Sequence, residues 1–366
     1  MSGDEQFMAR ALALAARGRG TVEPNPMVGA VVVRDGRVVG EGWHKFFGGP
    51  HAEIEAVAAA RAAGEPIAGA TIYVTLEPCC HHGKTPPCTR ALIHEGVARV
   101  VAAMEDPDEQ VAGKGLAELR AAGIEIVVGV CEPAARKLLA PYIKLRTRAR
   151  PWVICKWAQS LDGKIATHTG HSRWISSEAS RQRVHELRGQ VDGVCVGVGT
   201  VLADDPLLTN RGGRGKQPTR VVLDATLRIP PTCRLLGSLD VSPVIVATRA
   251  DTPPARADAL AAAGAEVLML PVVGDGMDLG ALMDDLGRRQ WTHLLVEGGR
   301  GALSSILSAG LADELLVFVA PLLVGGRGSL GPVDWPDVDE IGQATRLPAP
   351  EVEAVGEDVL LRYVLT

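Results

Sequence analysis

Apolar residues recur along the chain at two spacings, and the segments where each prevails describe two successive α/β patterns. Phe7, Met8, Ala11, Leu12 and Ala15 fall at helical spacing behind Asp4 and Glu5, which open a helix that Gly18 can close. Met27–Val33 is almost continuously apolar, as a buried strand is, and Asp35-Gly36 turns it into a second strand, Val38–Trp43. The pattern then predicts a helix over Ala52–Ala63, a strand over Thr71–Leu76, a helix over Thr89–Glu95 stopped by Gly96 and a strand over Ala98–Met104. A helix over Gly115–Ala122 and a strand over Ile124–Val128 complete a three-layer α/β domain. Pro133 suits the first position of a short helix, Pro133–Ala140, which Pro141 is expected to end or kink. The dense basic run Lys144–Arg150 then reads as a linker. Pro151 marks the boundary between a domain over 1–146 and one over 151–366.

From Trp152 the alternation resumes. Strands are predicted over Trp152–Ala158, Val191–Val198, Thr219–Asp224, Pro243–Thr248, Glu266–Leu270, His293–Glu297, Glu314–Ala320 and near Val359–Val364. Between them fall helices over Glu178–Gly189, Pro254–Ala263, Met277–Arg289 and Arg300–Ala309, an order that belongs to a largely parallel sheet. No fixed-period repeat links the halves.

Composition narrows the function classes. An apolar fraction of 46% over 366 residues is ample for two cores. Seven cysteines scattered through a long chain do not form a disulfide framework, and Met1–Gly20 lacks the apolar core of a signal peptide, so a cytoplasmic protein is expected. No apolar run approaches the roughly 18 residues of a membrane span. A net charge of −5 argues against a nucleic-acid substrate, which needs a basic track for phosphates.

The chemistry concentrates in His51-Ala52-Glu53 and Pro78-Cys79-Cys80-His81-His82-Gly83-Lys84-Thr85-Pro86-Pro87-Cys88. One imidazole and two thiolates supply three ligands, where a structural zinc takes four, so the fourth tetrahedral position is open for water. Glu53, two residues from the histidine and in the first turn of a helix, is the carboxylate that can shuttle the protons of that water. The arrangement has the form of the zinc-deaminase signature His-x-Glu followed by Pro-Cys-x-x-Cys, in which the glutamate is acid/base and not ligand. It departs in one respect, since eight residues separate Cys79 from Cys88. Within that loop Cys80, His81 and His82 are alternative ligands.

Thr75-Leu76-Glu77-Pro78-Cys79, His81 and Gly83–Cys88 together resemble the N-terminal deaminase of the bifunctional riboflavin-biosynthesis enzymes of the RibD type. The resemblance implies a cytidine-deaminase-like domain with one zinc per chain on His51, Cys79 and Cys88, and it turns Asn25, His81 and Lys84 towards the substrate. On the residues alone, Asn25 between two prolines is equally a turn residue.

Lys156, Ser160–Lys164, Trp174-Ile175, Val198–Thr200, Asp204–Pro206 and Glu297–Gly299 resemble the reductase of the same family, which implies a dihydrofolate-reductase-like fold that uses NADPH. Glu297–Ala302 is also a glycine-rich strand-to-helix turn, a geometry that brings backbone N–H groups to a phosphate, and it should open on the same rim of the sheet as Gly197–Pro206. By position in the family, Ala158, Trp174, Thr200, Asp204, Ala225, Gly299, Arg300 and Gly301 fall on the cofactor side. Lys156, Ser172, Arg188, Leu208, Arg211 and Glu297 fall on the substrate side. Arg188 and Arg211 also make physical sense as bidentate ligands of a ribose phosphate, and Lys156 and Asp204 are candidate proton donors. The resemblance implies hydrolytic deamination of a diamino-(phosphoribosylamino)pyrimidinone followed by reduction of its ribosyl chain. A small-molecule substrate and a homo-oligomer, dimer or tetramer, are expected. The competing enzyme is a cytidine or tRNA-adenosine deaminase fused to an unrelated nucleotide-binding domain.

Overall fold

The structure, a computed structural model, describes residues 3–82, 86–213 and 215–365, and it divides into two compact units, 1–149 and 150–366.

In the first unit α1 (Gly3–Ala15), β1 (Gly29–Arg34), β2 (Arg37–Trp43), α2 (Ala52–Ala62), β3 (Thr71–Val74), α3 (Cys88–His94), β4 (Arg99–Ala102), α4 (Lys114–Ala121), β5 (Glu125–Val128) and α5 (Glu132–Arg148) follow one another. The sheet order is β2-β1-β3-β4-β5, antiparallel at β2-β1-β3 and parallel from β3 to β5. Period-two alternation sorts β1 onto both faces. Ala30 and Val32 join α2, α3 and α4 in one core, while Val31 and Val33 join α1 and α5 in the other. Two glycines seat α2: a Cβ at Gly40 would lie 2.3 Å from the Ala56 carbonyl, and one at Gly42 would lie 2.4 Å from the Ala56 amide. The bare strand lets the alanine face of α2 rest on its backbone, which fixes the helix that carries Glu53.

α5 corrects the sequence reading. It runs 17 residues, with Pro141 inside it, so neither the break at Pro141 nor the basic linker after it exists. Proline removes one helical hydrogen bond, a cost of about 3 kcal/mol or more. Burial of Ala135, Leu139, Tyr142 and Leu145 on one face of α5 offsets it.

The second unit contains β6 (Trp152–Ser160), α6 (Glu178–Arg188), β7 (Gly193–Gly197), α7 (Val198–Asp204), β8 (Thr219–Leu223), β9 (Val244–Arg249), α8 (Pro254–Ala262) and β10 (Glu266–Leu270). A two-strand hairpin, β11 (Val272–Val273) and β12 (Gly276–Met277), precedes α9 (Leu279–Arg288), β13 (His293–Glu297), α10 (Arg300–Ser308), β14 (Glu314–Ala320), β15 (Glu351–Val355) and β16 (Asp358–Val364). Nine strands form one sheet, β10-β9-β8-β7-β13-β6-β14-β16-β15, parallel as far as β14 and antiparallel beyond it. The short α7 and the edge strand β15 were not foreseen. β15 is exposed along most of its length, and its alternation carries no buried face to announce it. No helix among the described residues is long and apolar enough to cross a membrane.

Candidate active sites

The first site gathers at the start of α2 and α3. His51 is the N-cap residue of α2, Glu53 is buried in the first turn, and Cys88 is the first residue of α3. Cys79 arrives on the segment after β3, and its backbone carbonyl accepts the Thr89 amide at 3.2 Å. His51 Nδ1 lies 3.4 Å from Cys79 Sγ and 3.3 Å from Cys88 Sγ, and the three donor atoms sit within 4.8 Å of one another. Tetrahedral zinc with Zn–S about 2.3 Å and Zn–N about 2.0 Å separates such atoms by about 3.6 Å, so the donor set fits that ion with one position to spare. Among the described residues no other group of His, Cys, Asp and Glu has this spacing, and Cys80 stands outside it. A hydrogen bond from Cys88 and the neighbouring His51 pull the Cys79 thiol well down, so one thiolate is available at neutral pH. Burial raises the Glu53 carboxyl to about 7, and the Cys79 thiolate acts in the same direction.

A cavity of about 210 Å³ opens onto His51, Glu53 and Cys79. Asn25, His44 and Phe47 line one side, with His81 beside them. Asp106, Asp108, Val111, Tyr142 and Arg146 are also among the lining residues. Asn25 and His81 therefore reach the cavity, while Lys84 lies outside the described residues. His44 donates from Nδ1 to the Pro50 carbonyl at 2.9 Å, which leaves its Nε2 to accept from Asn25 Nδ2 at 3.2 Å. The α5 residues were missed because Pro141 reads as a terminator. Tyr142 donates to Asp106 Oδ1 at 2.9 Å and Arg146 approaches Asp108 at 3.5 Å, so the supposed linker supports the cavity wall. Burial raises the Asp106 carboxyl to about 6. Asp106 and Asp108 were findable, since they follow a parallel strand at the sheet end where Glu77 and Cys79 emerge.

The second site lies at the C-terminal ends of β6, β7 and β13. Glu297 and Lys156 pair in register across β13 and β6. Arg188 of α6 clasps Glu297 with Nε and Nη2 at 2.6 and 2.9 Å and donates Nη1 to the Thr209 carbonyl at 3.2 Å. The phosphate grip foreseen for Arg188 therefore shares its guanidinium with a buried ion pair. One hydrogen remains on each terminal nitrogen. Burial opposes charge on Glu297, but Arg188 outweighs it and holds the carboxyl below its usual range. Burial lowers the Lys156 ammonium, while Glu297 supports it. His185, one turn before Arg188, is pushed down to about 4 by burial and by Arg211.

Gly298 and Gly299 carry φ of 60° and 75°, in the region that favours glycine, and α10 begins behind them with no side-chain cap. A Cβ at Gly299 would meet Thr200 Oγ1 of α7 at 2.6 Å, so the two turns do share one rim. Arg300 at the first position of α10 pairs with Asp334, and a Cβ at Gly301 would meet open space. Trp174 is exposed, with Arg181 4.6 Å over its ring, and neighbouring Arg173 pairs with Asp204 at 3.0 Å. Leu208 is buried and Ser172 half-buried. Ala158 lies on β6, and the Ala225 carbonyl accepts Thr252 Oγ1 at 3.2 Å.

The two units thus define a zinc-type deaminase followed by a nucleotide-dependent reductase. The model of the cytidine and deoxycytidylate deaminase zinc-binding region matches residues 1–104, and that of the RibD C-terminal domain matches residues 151–361. The riboflavin biosynthesis protein RibD of Aquifex aeolicus is 43% identical over 361 residues, 98% of each chain. That of Escherichia coli is 41% identical over 377 residues, 99% of each chain. Among solved structures, the diaminohydroxyphosphoribosylaminopyrimidine deaminase/5-amino-6-(5-phosphoribosylamino)uracil reductase of Thermotoga maritima superposes with a TM-score of 0.86 at 37% identity, covering 100% of this chain and 99% of that one. The chain belongs to the RibD family, as a bifunctional deaminase and reductase of riboflavin biosynthesis. A deaminase fused to an unrelated domain is excluded by the match over the second half.

Proposed function

We propose that the first unit removes the 2-amino group of 2,5-diamino-6-(5-phosphoribosylamino)pyrimidin-4-one by hydrolysis, and that the second reduces the ribosyl chain of the product to ribityl with NADPH. The single observation that carries the first half is the three-donor cluster with buried Glu53 beside it at the end of a cavity. His51, Cys79 and Cys88 would hold one zinc per chain, which supplies acidification of the attacking water. Glu53 passes two protons in turn, the first from that water to the pyrimidine ring nitrogen and the second from the newly added hydroxyl to the departing amino group, and a carboxyl with affinity for protons near neutrality suits both transfers. Asn25, His81 and Lys84 recognise the substrate.

In the second unit NADPH, when bound, supplies hydride to C1′ of the ring-opened imine form of the sugar. The uncapped amides of α10 behind Gly298-Gly299 take its phosphates, with Arg300, Gly301, Thr200 and Asp204 along that rim and Trp174, Ala158 and Ala225 completing the cofactor side. Glu297 holds the ribosyl hydroxyls. Arg211 and the outer edge of Arg188 hold the phosphate, with Ser172 and Leu208 as neighbours. Lys156 supplies the proton for the opened ring oxygen, its ammonium made more acidic by burial. The same reading includes a cytoplasmic homo-oligomer, a dimer or tetramer, which light scattering on the zinc-loaded protein tests. The test of the function is one coupled assay on the diaminopyrimidinone that follows ammonia release and NADPH oxidation. Both signals are expected in that order, and ammonia release from cytidine but not from this substrate would reject the reading.

A further inference from the structure

Glu77 lines the deaminase cavity two residues before Cys79, and the mechanism above leaves it without a task. It is 4% exposed. Its Oε2 accepts the amides of Asp106 and Gly113 at 3.1 and 2.8 Å, and its Oε1 those of Gly115 and Leu116 at 2.9 and 3.2 Å. Gly113 is the N-cap residue of α4 and has no side chain to serve the helix, so Gly115 and Leu116 would otherwise be orphan donors at its second and third positions. Glu77 caps α4 from another element. Between these contacts runs the loop 105–112, which supplies Asp106, Asp108 and Val111 to the cavity. The backbone repeats the link: Glu77 donates its amide to the Met104 carbonyl at 3.0 Å, and a Cβ at Gly115 would lie 2.1 Å from the Pro78 carbonyl. The segment that carries Cys79 and the wall that faces the substrate are therefore bound to one carboxylate.

We infer that Glu77 is a positioning residue of the deaminase, setting the loop 105–112 at a fixed distance from the metal-ligand segment so that ring recognition and the hydrolytic centre act on one bound pyrimidine. Its two oxygens are occupied by four backbone donors, an arrangement that suits an anchor and leaves no free lone-pair direction for proton transfer to substrate. The inference rests on the deamination proposed above, and wild-type ammonia release is the control that separates the two.

Glu77→Gln keeps the size of the side chain but turns an NH2 group towards two backbone N–H groups. At least one pair of contacts is broken and the loop is released on that side. The full zinc-loaded chain is expected to retain zinc and NADPH-dependent reduction of the already deaminated intermediate, and to raise the KM for the diaminopyrimidinone at least tenfold with a smaller change in kcat. Glu77→Asp keeps the charge but is one methylene short, and it should give the same KM effect without rescue. Asp108→Ala, which removes a wall residue and leaves the anchor intact, is expected to raise KM too, and the Glu77→Gln/Asp108→Ala pair should be non-additive because both act through one loop. If Glu77→Gln instead slows turnover by about a hundredfold or more at unchanged KM, Glu77 is an acid/base group and the inference is overturned. So would an unchanged KM in soluble Asp108→Ala overturn it, even where both Glu77 variants fail to fold.

Discussion

Arg188→Met tests the most committed ion pair of the second unit. Arg188 and Glu297 are each only 10% exposed at the side chain, and the guanidinium makes three hydrogen bonds, two to Glu297 and one to the Thr209 carbonyl. Methionine fills similar volume but leaves the carboxylate buried without its hydrogen-bonded guanidinium, with Lys156 and Arg211 as nearby cations. Removing one member of such a pair costs about 3–5 kcal/mol, chiefly because the other charge stays desolvated. For a unit of this size roughly 2–4 °C of melting temperature corresponds to each kcal/mol, so the shift expected is about 6–20 °C. Calorimetry of the full chain reads it, and zinc chelation assigns the transitions, since the chelator should move the first unit and not the second. The sign of the pH dependence follows from Glu297. Its carboxyl is held below the usual 4.5, so the stability it contributes is fully present above that value and lost as pH falls through the lower folded one. The gap between wild type and Arg188→Met should narrow in acid, where a protonated Glu297 needs no counter-charge. Arg188→Met/Glu297→Gln should be damaged less than the sum of the single variants. A shift under about 2 °C, or strict additivity, would refute the reasoning.

Three further outcomes address the first unit and the cofactor rim. Cys79→Ser and Cys88→Ser should lose zinc by elemental analysis while Cys80→Ser keeps it, and retention in Cys88→Ser with loss in Cys80→Ser would reassign the ligands. Glu53→Gln should keep zinc and reduce ammonia release by about 10²–10⁴-fold, with reduction of the deaminated intermediate unaffected, and near wild-type release would sink the assigned mechanism. Gly299→Leu must adopt a φ of 75° and meet Thr200, so the KM for NADPH should rise in steady-state kinetics while ammonia release is unchanged. Unaltered reductase kinetics would remove that turn from the cofactor side.

The division of labour between the two units carries its own logic. Each unit has its own buried clusters, and its chemistry stands at strand ends where helix N-termini collect. The proposed deamination would draw on His51 and Glu53 at the start of α2, Cys88 at the start of α3 and Cys79 on the segment after β3. The proposed reduction would draw on a buried ion pair and a glycine turn. The two sets of side chains have no residue in common, which is why variants in one are expected to spare the other.

What the sequence determined by itself is local. His51-Ala52-Glu53 must place its imidazole and carboxylate two positions apart in a helix start, Gly298-Gly299 must permit a left-handed turn, and alternation in β1 must divide its side chains between two cores. Such features follow from spacing within a few residues, where backbone geometry leaves little choice. Tertiary structure alone decided the rest. Pro141 has a local cost that predicts a helix end, and only the packing of Ala135, Leu139 and Tyr142 against the sheet carries α5 through it. With that helix extended, Tyr142 and Arg146 come to the cavity wall from more than 30 residues beyond Asp106 and Asp108. In the same way Arg188 was legible as a cation but not as the partner of Glu297, 109 positions away. A contact between distant segments depends on how strands order themselves in a sheet, and that order is chosen by the burial of whole faces and not by any single stretch of chain.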